Sequence, residues 1–415
     1  MMLGKYSFGI GDRFGHQGRA QLAALQKAKE AGVDVTPVWN KSHREHSIIG
    51  TEPADVRREA DAAVAACGWA GPYFVDADHI GLRNVDHFIE ASDFFTLDVA
   101  DWIGQPAAQA EVDAFLSRHA SLIGTLEIDG LPKALRIEAA GLKAIASKYL
   151  AAVREAGRIY RHIQSRKGAG RFITEVSMDE TDAPQTPVEL LMILAAVADE
   201  GIAAQTVAPK FSGRFNKGVD YMGDLAAFTA EFEQDLAVIA YAVRQFGLPA
   251  DLKLSIHSGS DKFSIYEPIQ NALKRCDAGL HVKTAGTTWL EELIGLALAG
   301  DPGLAIAKEV YNQALARMDE LCGPYATVIA IDRSRLPDPR VVANWDGSLF
   351  AQALRHDPFC AYYNHHFRQL LHVGYKIAAE MGPRFLDALE RHERTIAEQV
   401  TTNIYDRHLR PLFID

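Results

Sequence analysis

The chain has 415 residues, 48% of them hydrophobic and 23% charged, and 43 Lys and Arg against 54 Asp and Glu give a net charge of −11. This composition excludes a disordered or collagen-like chain, and the acidic balance excludes a general affinity for nucleic acid or anionic lipid, so any bound anion must be met by local cations. Cys67, Cys276, Cys322 and Cys360 show no CxxC spacing, which excludes a zinc knuckle or disulfide framework and fits a reducing cytoplasm; no run has signal-peptide form or the roughly 18 apolar residues needed to span a bilayer.

Short apolar or β-branched runs stopped by Gly, Pro, Asp or His recur in chain order: Tyr6 to Ile10, Val35 to Trp39, Tyr73 to Asp78, Phe94 to Val99, Phe172 to Met178, Gln205 to Pro209, Lys253 to Ser258 and Leu280 to Thr284. Helical patterns separate most of them. Glu52-Pro53 opens one helix to about Cys67, and Thr186-Pro187 opens another to about Glu200, closed by Gly201. Strand and helix alternating in this way predict a (β/α)8 TIM-type barrel over residues 1–300, with a doubly wound open sheet as the alternative. The first run starts at Tyr6, so no segment is expected ahead of the barrel. A helical insertion, 102–170, follows the fourth run and is read as padding or a lid, with one long amphipathic helix from Ala139 to Ile163. Residues 301–415 read as a mostly helical extension packed on the barrel or building an oligomer contact, with one further strand at Ala326 to Arg333. No linker separates the parts, so one integrated unit is expected.

In a barrel of this kind the active site is built at the C-terminal ends of the strands. The third run ends Asp76-Ala77-Asp78-His79, and the fifth places Glu175, Ser177 and Asp179 on one face. A glutamate inside a strand covered on both sides costs several kcal/mol, of the order of its desolvation, unless it has a partner. The seventh run brings Lys253, Ser255 and His257 to one face and the eighth brings His281 and Lys283. His79, His257 and His281, with nearby acids, are the raw material of an N/O site for a divalent cation such as zinc, manganese, nickel or iron. Asp78 and Glu175 are the expected acid/base pair. Lys210, Arg214 and Lys217 form a cationic loop after the sixth run, suited to a carboxylate or phosphate, and Ser258 and Lys283 are further candidate substrate contacts.

Two other motifs are weaker. Gly9-Ile10-Gly11-Asp12-Arg13-Phe14-Gly15 has the spacing GxGxxxG, one residue longer than the dinucleotide fingerprint, and no acid-ended second strand follows, so bound NAD is not expected. His365, Arg368 and His372 fall on helical spacing, which favours a structural role over a metal box.

The blocks GIGDRFGHQG, TPVWNKSHREHSIIGTEP, YFVDADHI, ITEVSMDETDAPQTPVELL, APKFSGRFNKGVDY, LSIHSGSDKFSIY, HVKTAGTTWLEELIG and RQLLHVGYK resemble the tagaturonate epimerase family, and the resemblance runs over nearly the whole chain. It implies a divalent-metal-dependent isomerase that interconverts D-tagaturonate and D-fructuronate in hexuronate catabolism, with neutral ketohexoses as poor substrates. The residue features alone also suit a metal-dependent aldolase or a ketose isomerase. Partners are expected to be a small sugar acid and a second copy of the chain, with no nucleic acid and no membrane.

Overall fold

The eight runs form a closed, all-parallel barrel in a computed structural model that describes residues 1–179, 181, 183–284 and 286–415. The strands are β1 (Tyr6–Ile10), β2 (Val35–Ser42), β3 (Phe74–Ile80), β4 (Phe94–Asp98), β5 (Ile173–Ser177), β6 (Thr206–Ala208), β7 (Lys253–Ile256) and β8 (Leu280–Thr284). Each pairs with its sequence neighbours, and β8 closes on β1 with Gly9 opposite Lys283. The anticipated helix starts are real. Glu52 and Thr186 each make a capping box ahead of Pro53–Cys67 and Pro187–Asp199.

The barrel interior is stratified. Leu3, Val38, Phe74, Phe94 and Ile173 form a buried apolar cluster of their own at the N-terminal ends of the strands. Above it the inward residues are polar: Asp76, Thr96, Glu175, Thr206, Ser255 and Lys283 are all 4% exposed or less. The main apolar core lies outside the ring, between strands and helices.

Two expectations need correction. The segment 102–170 is not a lid: its helix Ala139–Lys167 packs on β4 and on Pro187–Asp199 as the crossover between β4 and β5, and none of its residues lines the cavity at the barrel mouth. Ala326 to Arg333 is not a strand. A closed barrel has no edge to offer it, so its amides find other acceptors: Ala330 N donates to Gln369 Oε1 and Asp332 N to His366 Nδ1. The extension instead packs helix Glu393–Ile404 between Gly18–Glu30 and Thr287–Leu298, and carries Tyr325 and Val328 into the cavity wall.

Candidate active site

A cavity of about 660 Å³ opens at the C-terminal ends of the strands. Asp78, His79, Lys210, Arg214, Lys217, His257, Ser258 and Lys283 all line it, as do Asp98 and Asp179. Strict alternation would point His79 away from the barrel axis once Asp78 points in. The pairing of β3 with β4 shifts register between Ala77 and Ile80, and His79 takes a left-handed backbone with φ 52°. This bulge turns the imidazole into the cavity. Ser258, just beyond β7, is held at φ 49°, so both strand ends carry local strain at the site.

His79 and His257 face each other with ring centroids 5.1 Å apart. Each has one nitrogen on a carboxylate: His79 Nδ1 lies 3.1 Å from Asp98 Oδ2, and His257 Nε2 lies 2.7 Å from Glu175 Oε1. These contacts fix ring orientation and leave His79 Nε2 and His257 Nδ1 on the cavity side. His257 Nδ1 is 3.1 Å from Asp179 Oδ2, yet it is buried without a hydrogen-bond partner among the described residues. Burial disfavours both imidazolium ions, but Asp78 and Asp98 outweigh it for His79, raising it to about 9. Asp179 and Glu175 do the same for His257, raising it to about 10. Ligand atoms of His79, Asp179 and His257 lie within 4.8 Å of one another. Two imidazoles, one of them with an orphaned nitrogen, and one carboxylate fit a divalent cation, whose binding displaces the imidazolium protons.

His281 does not join them. It pairs with Ser255, so the β8 residue level with His257 is Lys283, and His281 sits one layer lower. There it is fully buried, with Nδ1 2.9 Å from Ser7 Oγ and its ring against Phe94. Burial drives it down to about 3, the neutral form.

Glu175 is also below the cavity. Its carboxylate is 0% exposed and is held by His257, by Thr206 Oγ1 at 2.8 Å and by Lys283 at 3.2 Å, so the position expected for an acid/base group is that of a partner to His257. Lys283 Nζ reaches Asp78 Oδ1 at 2.6 Å, Asp76 Oδ2 at 2.7 Å and Thr96 Oγ1 at 2.5 Å. Its donors point at protein acceptors rather than at a ligand. Burial opposes the ammonium, and the three carboxylates together raise it well above its usual range. Burial likewise opposes the Asp78 carboxylate, but Lys283 and His79 hold it below the usual range; Asp76, deeper in, is pushed up by burial.

The sequence reading missed Asp98, Asp179 as a partner of the histidines, and Arg13. The signal for Asp98 was the alternation Phe94, Thr96, Asp98, hidden inside an apolar run. Arg13 belongs to the glycine loop after β1 and lines the cavity; its Nε lies 3.1 Å from Glu45 Oε1 and its guanidinium 3.8 Å from the Tyr375 ring centroid. In that loop the Asp12 carboxylate accepts from the amides of Phe14, Gly15 and Gln17. The donors a pyrophosphate would need are therefore already engaged.

The UxaE tagaturonate epimerase family matches residues 1–412. The tagaturonate/fructuronate epimerase of Thermotoga maritima is 28% identical over 97% of this chain and 80% of its own length. The native crystal structure of the fructuronate-tagaturonate epimerase UxaE from Cohnella laeviribosi superposes with a TM-score of 0.78 at 26% identity, covering 98% of this chain and 81% of that one. Its one-glycerol complex gives a TM-score of 0.82 at 24% identity over 99% and 82% of the two chains, which speaks for the shared barrel. No helix among the described residues is long and apolar enough to cross a membrane. From its barrel to its last helices, this chain belongs to the tagaturonate epimerase family.

Proposed function

We propose that the protein interconverts D-tagaturonate and D-fructuronate by breaking and remaking one carbon–carbon bond, with a divalent cation held by His79, Asp179 and His257. The observation that carries this reading is one cavity that joins a two-histidine, one-carboxylate donor set to Arg214, a cation with no ion pair among the described residues. A bound cation supplies Lewis acidity toward the ketone and its neighbouring hydroxyl. The carbon to be inverted is two bonds from both the ketone and the carboxylate, so its hydrogen is not acidic and enolisation cannot invert it. In the retro-aldol route its hydroxyl gives a proton to the ionised Asp78, the C–O electrons form an aldehyde, and the adjacent C–C pair becomes an enediolate. The aldehyde turns over, the bond re-forms on its other face, and the new alkoxide takes back the proton held on Asp78, which returns to its ionised form. Glu175 orients His257, and Lys283 keeps Asp78 ionised and in place.

The test is D-tagaturonate in D2O followed by proton NMR. The expected result is D-fructuronate with the hydrogen on the inverted carbon retained, turnover lost to a chelator and restored by a divalent ion. Exchange of that hydrogen, a primary deuterium isotope effect on its C–H bond, or free three-carbon fragments as end products overturns the reading: exchange favours deprotonation, the isotope effect transient oxidation, and the fragments an aldolase.

Two variants follow. Asp98→Asn should weaken metal affinity about 10–100-fold, as loss of a carboxylate behind a ligating histidine does, measured by metal titration. Arg214→Gln should raise KM for the uronate by about tenfold or more while leaving KM for a neutral ketohexose nearly unchanged, because a hydrogen bond to a charged group is worth about 1.5–3 kcal/mol. Equal losses on both sugars would make this loop structural.

A further inference from the structure

The loop that carries the cavity cations is gripped along its backbone. Four consecutive carbonyl oxygens each accept from a buried side chain: Asn216 and Val219 from Lys262 Nζ at 2.8 and 2.7 Å, Lys217 from Gln369 Nε2 at 3.2 Å, and Gly218 from Arg368 Nε at 2.6 Å. Lys262 and Arg368 are 0% exposed and Gln369 is 1% exposed. Surface loops usually leave such carbonyls to water. Here the donors come from two distant parts of the chain, the loop after β7 and the helix His365–Val373 of the extension.

The donors are themselves fixed. Arg368 donates from Nη1 to Leu354 O at 2.7 Å and from Nη2 to Asp261 Oδ2 at 2.8 Å, and Lys262 places its third hydrogen on Ser260 O at 3.1 Å. Gln369 Oε1 accepts from Ala330 N. The loop base is tied by reciprocal amide bonds between Arg214 and Met222, and Lys217 N donates to Val328 O in the extension. Arg214, Asn216 and Lys217 all reach the cavity from this clamped segment.

We infer that Lys262, Arg368 and Gln369 are positioning residues that hold the 214–221 loop ready for the substrate carboxylate, so that the C-terminal extension sets preference for a sugar acid over a neutral sugar. This rests on the reading of the loop as the carboxylate site. A loop that is ordered before binding loses less conformational freedom when the ligand arrives, and the benefit falls on the part of the substrate that the loop touches. Lys262 and Arg368 also brace the loop after β7 through Ser260 and Asp261, whereas Gln369 bonds Lys217 O and Ala330 N, away from the reacting end.

The test is Gln369→Leu, which removes the donor to Lys217 O at similar volume. The expected result is a KM for D-tagaturonate raised about tenfold, with kcat within about twofold and KM for a neutral ketohexose unchanged. Amide hydrogen exchange across 214–221 should accelerate while β5 and β7 keep their protection. Should the leucine variant not fold, Gln369→Glu keeps the acceptor for Ala330 N and removes the same donor. Equal KM rises on both sugars, or loop exchange unchanged from wild type, overturn the inference. Should the wild-type protein leave D-tagaturonate unaltered, it is the functional reading that fails, and the exchange comparison alone then decides whether the clamp exists.

Discussion

Asp78→Asn should leave the barrel and its metal in place and slow epimerisation by about 10²-fold or more, the scale expected when a general base is lost. The asparagine keeps the shape and still accepts from Lys283, but it cannot take the hydroxyl proton. Asp78 suits that role because it lines the cavity and is held ionised by Lys283, 2.6 Å away. Retained metal content with collapsed kcat is the result that assigns the base to Asp78. Metal lost in step with activity would make Asp78 a support for the metal site, through its 3.8 Å approach to His79 Nε2.

Lys283→Met should destabilise the protein by about 3–5 kcal/mol at neutral pH, because removing one partner of a buried ion pair leaves the others uncompensated. Asp76, Asp78 and Glu175 all lie within 3.2 Å of the ammonium. In the variant, burial without that cation raises the folded-state pKa of the cluster's acids, Asp76 above all, since Glu175 keeps His257 and Asp78 keeps His79. Their ionisation then opposes folding, so the variant is weakest at high pH and regains stability as pH falls through the raised values. Denaturant unfolding of both proteins from pH 8 down to pH 5 checks this: the gap should narrow as pH falls. A gap that is small at pH 8 would show that the three carboxylates do not depend on Lys283.

The barrel was legible because strand runs announce themselves locally: β1 and β8 occupy the stretches their apolar runs mark, bounded by Gly and Ala-Gly. His257 and the loop cations were legible for the same reason, since strand-end position brings them to the mouth, whereas His79 stands at a strand end but is turned inward by a bulge that its alternation does not announce. His281 was misplaced because its height is decided by the register of β8 on β7, a relation between segments far apart in sequence. Glu175 was seen as an oddity inside a strand, but its partner, His257, is fixed only when the ring closes. The Ala326 to Arg333 segment has strand-like composition and no free edge to join, and composition carries no information about edges.

The apolar disc of Leu3, Val38, Phe74, Phe94 and Ile173 seals one end of the barrel beneath its polar layer, while the other end opens into the cavity. Dissolved ions can enter only from the open side. The loop around Arg214 stands in that path, and its pull on an anion fades as ionic strength shortens the Debye length below about 10 Å. The Lys283 cluster forms the cavity floor above the disc, with Asp76 and Glu175 sunk beneath it, and at 6% exposure or less its field is set mainly by the protein. One chain thus keeps two electrostatic compartments, an outer one tuned by the medium and an inner one insulated from it.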